Sequence, residues 1–198
     1  MHKILTLMPG IIFTASLSGQ ENISDCIKNA FIHADSVDKL GKNPLLAWKE
    51  CVLGKQIPEI NATTMIGDSI QIEKLKGKIV LINLWFIECH PCIAEMPAIN
   101  QLAEEYKNKD VVILAITYET KQRVQNDFLK KYKLDCLIIP DARNIINKIG
   151  GSGYPTTFIV NRNGIIKEVW SGGRTDGQAV KEYYAKAKPI IDELLILQ

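Results

Sequence analysis

Cys89-His90-Pro91-Cys92 places two thiols two residues apart, a spacing at which they can close a disulfide with each other or exchange one with another molecule. If a strand ends and a helix begins here, the unpaired N–H groups and positive dipole of the helix start favour the thiolate, which is the reactive form. Cys89 is then expected to be the nucleophile, and Cys92, one turn later and deeper, to resolve the mixed disulfide. A protonated His90 between them would lower the Cys89 pKa and stabilise the reduced form, pushing the couple toward oxidising behaviour. Pro91 presets φ where its missing N–H costs little. The same spacing also suits a structural disulfide or half of a metal site. A zinc site of this kind needs a second ligand pair, and no second C-x-x-C or H-x-x-H occurs among five Cys and three His. No metal and no cofactor is expected.

The flanking sequence predicts the elements that would position these thiols. Ile79 to Phe86 is apolar nearly throughout, as a strand buried on both faces should be. A helix is expected from near Cys92 to Tyr106, bent by Pro97. Beyond it come a strand at Val111 to Thr117, a helix from about Lys121 to Tyr132, a strand at Cys136 to Ile139 and a short helix near Asn144 to Ile149. Two strands, Thr156 to Val160 and Ile165 to Trp170, flank the turn Asn161 to Gly164, and a last helix runs from about Asp176 with Pro189 inside it. Upstream, Gln56 to Leu75 reads as an extended arm and a β-hairpin turning at Gly67-Asp68. Gln20 to Gly54 reads as a small helical hairpin broken at Gly41 to Pro44. Together these predict an α/β fold with a mixed central sheet covered on both faces.

The segment Asn83 to Pro97, with its C-x-P-C-x-x-E-x-P core, resembles the active-site segment of the thioredoxin superfamily, in its extracytoplasmic TlpA/ResA-like branch. The resemblance covers roughly Gln56 to Gln198. It implies a thioredoxin fold with an N-terminal β-hairpin extension, here preceded by the helical appendage, and a protein-disulfide oxidoreductase activity. Pro97 matches the family's helix-kinking proline and Glu95 the glutamate of this branch. Gly153 to Phe158 resembles the loop that carries a cis-proline facing the active-site disulfide, so Tyr154 and Pro155 are expected to bind an extended substrate segment. Two positions depart from the pattern. Asn83 stands where thioredoxin itself has a buried aspartate, and an amide cannot act as a base, so Glu95 or water must move the proton. Glu88 replaces the tryptophan usual before the first cysteine, and a carboxylate there would raise the Cys89 pKa and oppose His90. The branch is often reducing, which makes a reductant the expected direction. Alternatives are a redoxin-type thiol peroxidase, which generally has threonine where Phe86 stands, and a copper chaperone of the same fold, which would want C-x-x-x-C and a distal histidine.

Cys26 and Cys51 lie outside the resemblance and read either as one structural disulfide pinning the hairpin or as a second redox pair relaying electrons to Cys89. As a structural link, a loop of about 25 residues would contribute on the order of 3 kcal/mol. Cys136 reads as a buried small hydrophobe, His33 as a surface residue, and Trp48, Trp85 and Trp170 as packing. Met1 to Ser18 has a basic head, a short apolar core and a small-residue tail, the order of a cleavable signal peptide; a buried N-terminal element and an uncleaved anchor are the other readings. This gives residues 1–18 as signal, 19–55 as helical extension and 56–198 as the thioredoxin-like domain. No stable membrane span is expected after cleavage, and the location is periplasmic or otherwise extracytoplasmic. Over the whole chain 24 basic residues face 22 acidic ones, a net charge of +2 without long runs of one sign, which excludes nucleic acid as an expected partner. The partners expected are thiols and disulfides of exported proteins and an upstream membrane electron donor.

Overall fold

Seven consecutive buried residues, Ile79–Trp85, form β3, the middle strand of the sheet. In the computed structural model, which describes residues 22–32 and 43–197, a five-stranded mixed sheet has the order β5-β4-β3-β6-β7. Its other strands are β4 (Val111–Thr117), β5 (Leu137–Ile139), β6 (Thr156–Val160) and β7 (Ile166–Ser171). β4 runs parallel to β3, while β6 runs antiparallel to it on the other side. Alternation along β3 divides the core in two. Ile79, Leu81 and Trp85 face α3 (His90–Tyr106) and α6 (Ala179–Ile196), among Met96, Ile99, Leu102 and Ile191. Val80, Ile82 and Leu84 face the opposite layer, which contains α5 (Arg143–Ile149) and the N-terminal helices. Asn83 shares the parity of Leu81 and Trp85, which directs its amide toward α3.

The N-terminal hairpin comprises α1 (Ile23–Ile32) and α2 (Pro44–Val52), the latter capped by the Asn43 side chain accepting from the Leu45 N–H at 2.9 Å. It is built into the main body: Ile23, Cys26, Trp48 and Val52 are buried in one cluster with Ile82, Leu84 and Phe158 of the sheet. α1 packs on α5 and α2 on β7. A separate two-stranded hairpin, β1 (Asn61–Thr63) with β2 (Ser69–Gln71), turns through Gly67 at φ +97°. The arm before it runs antiparallel to the start of β7, with the Ile57 N–H donating to the Gly164 carbonyl at 2.8 Å. The expected signal peptide, His33 and the Gly41-Lys42 half of the expected break lie outside the described residues, while Asn43 and Pro44 of that break open α2. Among the described residues no helix is long and apolar enough to cross a membrane.

Several element limits differ from the sequence expectation. α3 starts at His90, earlier than Cys92, because Cys89 itself caps it. The helix expected over 121–132 is a single α turn, α4 (Lys121–Arg123), followed by a π turn over Val124–Phe128 closed by the Leu129 N–H on the Val124 carbonyl at 2.9 Å. Val124 and Phe128 are both buried in the core, where Phe128 lies 4.5 Å from Trp85 between ring centroids. Ile72–Leu75, the expected end of the β-hairpin, is a 3-10 turn that buries Ile72. β5 starts one residue after Cys136, β7 is shifted one residue later than expected, and α6 starts at Ala179 because Asp176 spends its carboxylate on Arg174 and the Gln178 N–H. Both α3 and α6 continue as helices through Pro97 and Pro189.

Candidate active site

The sequence between β3 and α3 folds back so that the Phe86 carbonyl accepts from the Cys89 N–H at 3.2 Å, which places Cys89 at the N-cap. Its sulfur accepts from the Cys92 N–H at 3.2 Å, so one of the free amides of the first helical turn points at Cys89 Sγ. A thiolate at Cys89 would receive the same donor and the positive end of the helix dipole. Cys89 and Cys92 are joined by a disulfide, with Cα atoms 5.2 Å apart. Cys92 is fully buried, Cys89 retains 4% exposure, and His90 is exposed. Access to the pair therefore comes from the Cys89 side.

Three further elements converge on this point. The Tyr154–Pro155 bond is cis. The Pro155 carbonyl accepts from the Gly172 N–H at 2.8 Å and the Ser171 hydroxyl at 3.2 Å, which ties the loop before β6 to the end of β7. Gly173, next in that chain, comes so close that a Cβ there would lie 3.1 Å from Glu95 Oε2, 3.2 Å from Pro155 Cγ and 3.5 Å from Pro91 Cβ. Glu95, Pro91 and Pro155 thus meet around one glycine. Tyr154 continues into an aromatic group, with ring centroids 5.2 Å from Phe86 and 5.8 Å from Tyr118, and the Arg143 guanidinium lies 4.5 Å over Tyr118.

Glu95 sits one turn beyond Cys92 on the same side of α3 and is 3% exposed. Its Oε1 accepts from Asn83 Nδ2 at 2.8 Å, and the same amide donates to Thr157 Oγ1 at 3.1 Å, which is 3.2 Å from the Tyr183 hydroxyl. Burial pushes the carboxyl up to about 8, against the opposing pulls of the Asn83 amide and the Lys186 ammonium. Tyr183 is raised as well, chiefly by its own burial and then by the Glu95 charge. A crevice of about 40 Å³ bounded by Glu95, Trp170, Gly173, Tyr183 and Lys186 is large enough for water. The arrangement can hold a proton near Cys92 and exchange it with solvent. Asn83, which cannot itself titrate, orients the group that can.

Glu88 is placed differently from the expectation of an uncompensated acid at the rim. Its carboxylate pairs with Arg123 Nη2 at 2.5 Å, which holds its pKa below the usual value. Arg123 also binds the buried Glu119 at 2.6 Å, and Glu119 Oε1 accepts from the Ile87 N–H at 3.4 Å. The Glu88 charge is therefore compensated, and its expected opposition to His90 is weakened. Nothing in the sequence marks Tyr183, Lys186 or Gly173, and Thr157 is marked only as part of the Gly153 to Phe158 loop. Thr157 could have been found by register, since it pairs with Asn83 across β3 and β6. Away from this site, Cys26 and Cys51 form a second disulfide, and Cys136 is a free thiol whose pKa burial pushes up to about 12. Among the described residues no group of three or more His, Cys, Asp or Glu could hold a metal ion.

Comparison with known proteins agrees with this architecture. Residues 53–169 match the model of the AhpC/TSA family. The chain is 34% identical over 137 residues to the thiol-disulfide oxidoreductase ResA of Halalkalibacterium halodurans, covering 69% of this chain and 77% of that protein. It is 31% identical over 125 residues to the thioredoxin-like protein YneN of Bacillus subtilis, covering 62% and 73% of the two chains. Among solved structures, a thiol:disulfide interchange protein of the thioredoxin family from Chlorobium tepidum superposes with a TM-score of 0.59 at 20% identity, over 72% of this chain and 97% of that one, which shows the shared thioredoxin fold. The chain belongs to the AhpC/TSA family and, with ResA, to its thioredoxin-fold thiol-disulfide oxidoreductases.

Proposed function

We propose that this protein reduces disulfides in exported proteins, with Cys89 as nucleophile and Cys92 as resolving thiol. The observation that carries the reading is the Cys89–Cys92 pair at the start of α3, with Cys89 Sγ facing a helix amide and Glu95 one turn below. In the reduced enzyme the Cys89 thiolate attacks one sulfur of a substrate disulfide and expels the other as thiolate. Cys92, giving its proton to Glu95, then attacks Cys89 Sγ, releases the second substrate thiolate and leaves the Cys89–Cys92 disulfide. The substrate gains two electrons and the enzyme loses two, so a dithiol donor must restore it; a membrane-bound donor on the outer side is the partner this reading requires. Tyr154 and Pro155 align an extended substrate segment beside Cys89, while His90 tunes its thiol.

The extracytoplasmic setting is supported by the signal-like pattern of residues 1–18 and by the Cys26–Cys51 disulfide, a link that persists in oxidising compartments. In this reading residues 19–55 are an extension carrying a structural disulfide, and the thioredoxin-like domain begins near Gln56.

The test is insulin reduction with dithiothreitol as electron source, beside the equilibrium redox potential against glutathione. Wild type is expected to accelerate reduction and Cys89→Ser to abolish the acceleration, with a potential well below that of the glutathione couple. A potential above glutathione would make the protein an oxidant. Peroxide consumption without insulin reduction would favour the thiol peroxidase instead.

A further inference from the structure

The four residues entering the Tyr154–Pro155 loop are Gly150-Gly151-Ser152-Gly153. Such a segment has few side chains with which to anchor itself, and its freedom is large unless neighbours hold it. At its far end Gly153 is held, its carbonyl accepting from the Thr156 hydroxyl at 2.7 Å. At its near end the holder is the N-terminal hairpin. Trp48, 1% exposed, donates its indole N–H to the Gly150 carbonyl at 2.9 Å. Gly150, at φ +65°, closes α5 so tightly against α1 that a Cβ there would lie 2.9 Å from the Ile23 carbonyl oxygen. Trp48 also packs edge-on against Phe158 of β6, with centroids 6.1 Å apart. The helices that carry Ile23 and Trp48 are joined by Cys26–Cys51, and Cys26 is 1% exposed in the same core. Both helices lie outside residues 53–169, the part matched by the family model.

We propose that Trp48, held in place by the disulfide-pinned hairpin, is a positioning residue for disulfide exchange: its indole N–H fixes Gly150 and so seats the Tyr154–Pro155 loop for extended polypeptide substrates. This rests on the reading of Tyr154 and Pro155 as substrate-binding residues. It distinguishes two kinds of substrate. A protein disulfide must lie along the loop, whereas a small aryl disulfide needs only access to Cys89.

The test compares wild type, Trp48→Phe, Cys26→Ser/Cys51→Ser, Pro155→Ala and the combination Trp48→Phe/Pro155→Ala, all in the full chain and each checked for folding by circular dichroism. Steady-state kinetics are read with insulin and with a small aryl disulfide. Phe keeps an aromatic ring against Phe158 but removes the indole N–H donor together with the pyrrole part of the ring, so Trp48→Phe is expected to raise KM for insulin about fivefold, on the scale of one lost hydrogen bond, with kcat and the aryl disulfide rate unchanged. The double cysteine variant should show the same split. Trp48→Phe should add nothing to Pro155→Ala, since both act through one loop. If Pro155→Ala raises KM and Trp48→Phe does not, the inference is overturned and the loop reading stands. If Trp48→Phe slows both substrates equally, its role is general packing and the inference is again overturned. If Pro155→Ala leaves KM unchanged, the loop reading fails first and the inference with it.

Discussion

At the scale of single residues, the Glu95 carboxyl is held near 8 by burial, with an amide as its hydrogen-bond donor, so it changes charge in the range where a cysteine must lose a proton to react. Glu95→Gln should therefore remove an inflection near pH 8 from the rate at which Cys92 resolves a mixed disulfide, and slow that step by about a hundredfold. Rapid-mixing kinetics from pH 6 to 9 measure both; an unchanged profile would exclude Glu95 as the base. The same shift has a consequence for stability. The folded state keeps the Glu95 proton up to about 8, while the unfolded chain loses it near 4.5. The folded protein binds the extra proton between those values, so this group's contribution falls as pH rises, by about 1.4 kcal/mol per pH unit within the window. The stability difference between Glu95→Gln and wild type should then shift in the variant's favour from pH 5 to pH 8 in urea titrations, and a pH-independent difference would contradict the assignment. Gly173 gives a steric test of the same group. Gly173→Val would place atoms on Glu95 Oε2 and Pro155 Cγ and narrow the crevice to solvent. It is expected to slow exchange with every disulfide, large or small, in the assays used for Trp48.

Elements differ in how far the sequence disclosed them, and the difference follows where the information sits. β3 was legible because Ile79 to Trp85 is apolar without a break, which few structures other than a two-face-buried strand require. The Cys89 to Pro97 segment was legible because strand end, helix start and both thiols are local. The π turn after Arg123 was not, since Val124 and Phe128, four apart, fit one face of an ordinary helix by spacing and nothing local to the sequence marks the wider turn. The chain Glu95–Asn83–Thr157–Tyr183 is only half legible: Asn83 stands out as a departure from the motif and Glu95 as a match to it, while Thr157 of β6 meets Asn83 only through strand register and Tyr183 of α6 only through packing. The partner of Glu88 was hidden for the same reason, Arg123 being 35 residues away. Helical periodicity showed α1 and α2 but not their docking, which depends on Gly150 having no side chain. The Cys26–Cys51 link closes that hairpin, with 25 residues of separation. Replacing both cysteines should cost on the order of 3 kcal/mol, or roughly 10 °C of melting temperature, under oxidising conditions. Measured against wild type reduced beforehand, which lacks the link as well, the loss should largely vanish.

Across the whole molecule, the sheet fixes where the reacting groups can meet. The carboxyl ends of β3 and β4 and the start of β6 lie at one end of the sheet, and α3, the Tyr154–Pro155 loop and the Gly172–Gly173 segment all reach that end. Burial of Cys92 and exposure of His90 leave one approach, along Cys89, for a partner's sulfur. The near balance of 24 basic and 22 acidic residues leaves recognition to this local surface and not to long-range charge. The measurement that bears most directly on the account is mixed-disulfide trapping with a disulfide-bonded protein substrate and the two single variants. Cys92→Ser should accumulate a covalent complex through Cys89, visible on non-reducing gels and released by dithiothreitol, while Cys89→Ser accumulates none. A complex formed only by Cys89→Ser would reverse the roles, and none with either variant would contradict thiol-disulfide exchange at this pair.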